Sequence, residues 1–62
     1  MKRNKLIKHL EDNGCAFRRE GSNHSIFINL VTGKRTAIPR HREIEDELCV
    51  EICKQLGIPR IK

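Results

Sequence analysis

Tryptophan and tyrosine are absent from this chain, and phenylalanine occurs twice. So few rings leave little means of holding nucleobases or other flat ligands by aromatic stacking. Cysteine occurs three times, an odd number that does not close into a disulfide framework. No apolar run approaches the roughly 20 residues of a membrane span. The basic start Met1-Lys2-Arg3 is not followed by the apolar segment of a secretion signal. The cytoplasm is therefore the expected compartment, with no membrane partner. Length is short as well. The 62 residues make one domain, 1–62, and a chain of that size buries only about 60% of its unfolded surface. A cofactor-binding α/β sheet or a deep cleft does not fit, so chemistry must come from a few side chains on a shallow surface.

Basic charge is plentiful and uneven. Thirteen Lys and Arg stand against eight Asp and Glu, a formal net charge of +5. Residues 1–42 hold ten of the basic residues and three of the acidic ones, whereas residues 43–62 carry a net negative charge. Small soluble domains are often basic, but this asymmetry fits a face for polyanions.

The patterning is that of an α+β fold. Residues 3–13, "RNKLIKHLEDN", put Leu6, Ile7 and Leu10 on one stripe of a helix, ended by Asn13-Gly14. "CAFRRE" alternates as a half-buried strand does. After the Gly21-Ser22-Asn23 turn, "HSIFINL" reads as a strand covered at least partly on both sides. Ile26, Ile28 and Leu30 share one of its faces and Phe27 the other. "KRTAIP" is a third short strand after the turn at 31–34. Residues 44–56 form a second helix with a stripe of Ile44, Leu48, Ile52 and Leu56, flanked by Cys49 and Cys53. Its acidic start suits the helix dipole, and Gly57 and Pro59 end it. The predicted order is α-β-β-β-α, a three-stranded antiparallel meander with both helices on one face.

Most catalytic chemistries find no support in this pattern. Cys49 and Cys53 sit at i, i+4, but a structural zinc site needs four ligands in close pairs. Burial beside the apolar stripe explains both. The carboxylates Glu43, Glu45, Asp46 and Glu47 open a helix rather than frame a magnesium ion. No cysteine has the His or helix N-terminus that activates a thiol. No metal site or cofactor is expected. Three histidines remain. His9 reads as solvated helix surface, and His41 as a junction or capping residue before the second helix. His24 follows small turn residues whose amides can hold an anion. The residues by themselves leave it open between surface turn and active site.

RNA would make use of such a site. Strand cleavage without metal uses the 2′-OH as nucleophile, a group titrating near neutrality as acid or base, and cations to steady the charge on phosphorus. His24 with Lys34, Arg35 and Arg40 meets that list.

At this point the order of segments becomes informative. "KLIKHLEDNGC", "GSNHSIF", "GKRTAIPRH" and "CKQLGI" together resemble the HicA toxins of HicA–HicB toxin–antitoxin pairs over nearly the whole chain. The resemblance implies a fold similar to a double-stranded-RNA-binding domain and metal-independent endoribonuclease cleavage of mRNA. It implies His24 as the catalytic residue, the second histidine of a Gly-Ser-His-His segment. It further implies a HicB-type antitoxin that covers the His24 surface, with operator DNA engaged only through that antitoxin. Asn23 replaces the first histidine of the segment, and the stretch from His24 to Pro39 is longer than in many members. Candidate RNA-backbone contacts are Lys5, Lys8, Ser22, Asn23, Lys34, Arg35 and Arg40, with His41 as an accessory candidate. Two other readings share the fold: an RNA-binding module without turnover, and a protein-interaction domain docking a partner through an exposed sheet face anchored by Phe27.

Overall fold

Leu6 and Leu10, one helical turn apart, are both fully buried, and this spacing sets the first helix on the core. The computed structural model describes residues 1–61. Its elements are α1 (Arg3–Asp12), β1 (Cys15–Glu20), β2 (His24–Asn29), β3 (Arg35–Pro39) and α2 (Asp46–Leu56). The strands form one antiparallel sheet in the order β1-β2-β3. Short loops permit only neighbouring strands to pair, as the meander requires.

No side chain caps α1 at Lys2. Its first amide is met by a remote segment instead. Arg3 N–H donates to Arg42 O at 2.8 Å, Ile44 N–H donates to Met1 O at 2.8 Å, and Lys2 bridges Glu43. The start of the chain thus pairs with the segment before α2 and brings residues 1–4 beside residues 40–43. At the other end of α1, Gly14 turns the chain at φ +81, a conformation a side chain would oppose.

Both helices cover one face of the sheet. Leu6, Leu10, Cys15, Phe27, Ile38, Ile44, Cys49, Ile52, Cys53 and Leu56 form a single core. Alternation along β2 sends Ser25, Phe27 and Asn29 into it, all buried. The expected covering of β2 on both sides does not hold. Ile26 and Ile28 lie on the open face, half-buried between cross-strand neighbours: Arg19 and Ala37 flank Ile26, Ala16 and Arg35 flank Ile28. Leu30, assigned to the same face, lies in the following turn and is 70% exposed.

The stripe of α2 also differs from its sequence reading. Leu48 is 40% exposed, whereas Cys49 and Cys53 are buried with Ile52 and Leu56. Ile44 is buried from the segment before the helix, so it does not set the helical phase. Burial pushes the thiols of Cys15, Cys49 and Cys53 above their ordinary range, which keeps them neutral and unreactive. Phe27 is 4% exposed, so it cannot anchor a partner on an open sheet face. Its neighbour Phe17, 52% exposed, packs edge-on against it with ring centroids 5.9 Å apart.

Asn29 supplies a buried amide link. Its Nδ2 donates to Leu56 O at 2.8 Å, and its Oδ1 accepts from Val31 N–H at 2.9 Å. One side chain thereby joins the end of α2 to the β2–β3 turn.

Candidate functional site

His24 opens β2 at the end of the sheet, opposite Pro39 and exposed. The turn before it is tight, with Gly21 N–H donating to His24 O at 2.7 Å. A Cβ at residue 21 would stand 3.3 Å from that oxygen, which makes glycine the fitting residue. Alternation puts His24 on the open face, with Ile26 and Ile28 beyond it.

The turn is tied to three other parts of the chain. Ser25, 2% exposed, donates to the Glu20 carboxylate at 3.0 Å and accepts from Arg3 Nη2 at 2.9 Å. Arg3 Nε donates to Pro39 O at 2.9 Å, on the cross-strand partner of His24. Arg40 closes the set. Its Nη2 donates to Ser22 O at 2.7 Å, and its Nη1 lies 3.3 Å from Glu20 Oε1. The exposed ion pair adds little stability alone, but together these bonds fix the turn from α1, β1 and the end of β3.

The sequence-predicted residues divide into groups. Ser22, Asn23 and Arg40 surround the His24 turn, and Ser22 and Asn23 are exposed. Lys5 and Lys8 are exposed on α1, and Lys8 pairs with Asp12 at 3.2 Å. Lys34 and Arg35 lie elsewhere. Arg35 is opposite Ile28, four residues along β2 from His24 and so about 13 Å away at strand rise. Lys34 runs past the end of α2, where a Cβ on Gly57 would meet its Cδ and Nζ at 3.4 Å. The grouping of His24 with all three cations therefore reduces to His24 with Arg40. His41 is exposed in the loop after β3 and does not cap α2, whose N-cap position is Glu45. His9 is not simply solvated. It is half-buried, and its Nε2 lies 2.7 Å from Pro59 O.

A cleft of about 550 Å³ at this end of the molecule is lined by Lys2, Arg3, Asn4, Arg40, Arg42 and Glu43. Of these, only Arg40 was identified from the sequence. The segments "KRN" and "PRHR" are each visibly basic, but only the pairing of residues 1–3 with 42–44 makes them one surface. Among the described residues, no three His, Cys, Asp or Glu side chains converge as metal ligands do, and no helix is long and apolar enough to cross a membrane.

Searches of curated proteins and of solved structures each return no significant match. The family model described as HicA toxin of bacterial toxin-antitoxin matches residues 3–58. That span takes in both helices, the sheet, the His24 turn and most of the basic cleft. The chain belongs to the HicA toxin family of bacterial toxin–antitoxin systems.

Proposed function

We propose that this toxin is a metal-independent endoribonuclease that cuts mRNA, with His24 as its catalytic acid or base. In the reaction, the 2′-oxygen of the RNA bonds to the adjacent phosphorus as the bond to the 5′-oxygen breaks. A proton leaves the 2′-OH and another reaches the departing 5′-oxygen. The products are a 2′,3′-cyclic phosphate and a 5′-OH end. A neutral imidazole offers both an acceptor and a donor nitrogen near neutral pH, and His24 moves one of these protons. Arg40 and its neighbours offset the charge on phosphorus, and DNA, lacking the 2′-OH, is left intact.

The observation that supports this reading most is an exposed imidazole beside a turn that Arg3, Ser25, Glu20 and Arg40 hold by hydrogen bonds. Held side chains can act on a reacting phosphate without a deep pocket. Ser22, Asn23 and Arg40 at the turn contact the RNA backbone nearest the cut, and Lys5, Lys8, Lys34 and Arg35 contact it farther away, with little sequence preference. The toxin works in the cytoplasm, and a HicB-type antitoxin neutralises it by covering the His24 surface. Operator DNA is contacted through the antitoxin alone.

The test is cleavage of a labelled mRNA by the purified toxin in EDTA, beside His24→Ala. Wild type cuts, the variant does not, and both keep the same circular-dichroism spectrum because His24 is exposed. Equal binding with no cutting by either protein would reduce the toxin's site to an RNA-binding surface.

A further inference from the structure

The cleft beside the His24 turn has a charge pattern that the catalytic reading does not use. Arg3 and Arg40 are committed within the protein, Arg3 to Pro39 O and Ser25, Arg40 to Ser22 O and Glu20. Lys2 and Arg42 are exposed and make no ion pair among the described residues. The one carboxylate of the lining, Glu43, lies 3.5 Å from the Met1 ammonium, which it shares with Asp46 at 3.2 Å, so its charge is partly offset. Four cations thus face about 550 Å³ of open space with no unpaired anion among them. Asn4 adds a side-chain amide that can donate to a phosphate or sugar oxygen.

We infer that this cleft, through Lys2 and Arg42, holds a backbone phosphate of the RNA strand next to the one presented to His24. This rests on the ribonuclease reading for the identity of the strand. The connection between the two places is short. His24 and Pro39 are direct cross-strand partners, about 5 Å apart at Cα, and Arg40 is the next residue along. His24 lies on the open side of the sheet and the cleft on the helix side, so the strand crosses the rim at the Pro39–Arg40 step. Arg3 and Arg40 add field at that crossing while fixing the turn. Arg42 and Lys2, free of internal partners, are the side chains that can close on a phosphate.

The experiment measures binding of a mixed-sequence 2′-O-methyl RNA oligonucleotide, which the 2′-OH mechanism cannot cut, over a range of salt concentrations. The proteins are wild type, His24→Ala, Lys2→Ala/Arg42→Ala, and the charge-matched Lys54→Ala/Arg60→Ala. The cleft variant loses affinity on the order of tenfold and its log–log salt slope becomes shallower by about 0.7, one single-strand phosphate contact. The charge-matched control binds nearly as wild type does, and His24→Ala loses less affinity than the cleft variant. Wild-type affinity in the cleft variant, or a loss no larger than the control's, overturns the inference. So does a nucleoside monophosphate that binds as tightly as the oligonucleotide, which would make the cleft a small-anion site. The two readings fail separately. If wild type does not cut natural RNA but the cleft variant loses affinity, the ribonuclease reading falls and the cleft stands. If wild type cuts and the cleft variant binds and cuts equally well, only the cleft falls.

Discussion

Ser25 Oγ lies 3.0 Å from Glu20 Oε1 and 2.9 Å from Arg3 Nη2, buried one residue past the exposed His24. The neighbours show how a small sheet serves two needs at its rim. Alternation turns one side chain to solvent and the next into the fold. The inward hydroxyl anchors the backbone that carries the outward imidazole.

That anchor gives the first prediction. Ser25→Ala removes the hydroxyl that links Arg3 to Glu20 and is expected to cost about 1–2 kcal/mol in urea unfolding. On the proposed ribonuclease reading, cleavage should fall through kcat more than through KM, since the turn loosens while the basic surface is kept. A loss below about 0.5 kcal/mol, the range of an ordinary surface change, would mean the link adds no net stability.

The phase of α2 gives the second. Ile52 is 1% exposed and Leu48 is 40% exposed. Ile52→Ala should therefore destabilise by about 2–4 kcal/mol and Leu48→Ala by less than about 1 kcal/mol. Equal losses in denaturant titrations would restore the stripe drawn through Leu48.

The third concerns alkaline pH. Burial raises the Cys15, Cys49 and Cys53 thiols above 9.0 in the folded chain. The unfolded chain then releases those protons first, so stability holds below 9.0 and falls as pH rises through the folded values. The Met1 amino group is raised above 8.0, chiefly by its hydrogen bond to Asp46. Its contribution is present below 8.0 and is lost as pH rises past its folded value. Unfolding midpoints should drop with pH on both accounts. Asp46→Asn weakens the lower-pH part and Cys53→Ala the upper part. A flat profile in wild type would contradict both the burial of the thiols and the Met1–Asp46 bond.

Much of this architecture is local and therefore readable along the chain. The Leu6–Leu10 spacing, the glycines at 14 and 57, and the small turn residues at 21–23 place helices, stops and hairpin without knowledge of any partner. His24 was legible for the same reason, since a histidine directly after such a turn stands at a strand's end.

Facing and convergence were not legible. In β2 the run Ile26-Phe27-Ile28 is apolar on both parities, so hydrophobicity could not choose a face. The helices chose it, by burying Ser25 and Asn29 against partners that satisfy them. In α2, Cys49 and Leu48 are both apolar neighbours, and packing against β3 settled which one turns inward. Lys34 and Arg35 follow the turn closely in sequence yet stand at the far end of the sheet from His24, because antiparallel pairing reverses direction.

The sequence by itself determined the order of elements, the basic character of the first two-thirds and the place of His24 after a turn, which follow from short-range periodicity and composition; a catalytic role for His24 is implied only by the family resemblance. Only the tertiary structure decided that Lys2 and Arg42 share a cleft and that Arg3, Ser25, Glu20 and Arg40 meet around one turn. Those meetings depend on the antiparallel pairing of residues 1–3 with 42–44. Such pairing is a long-range backbone contact, and no local pattern encodes it.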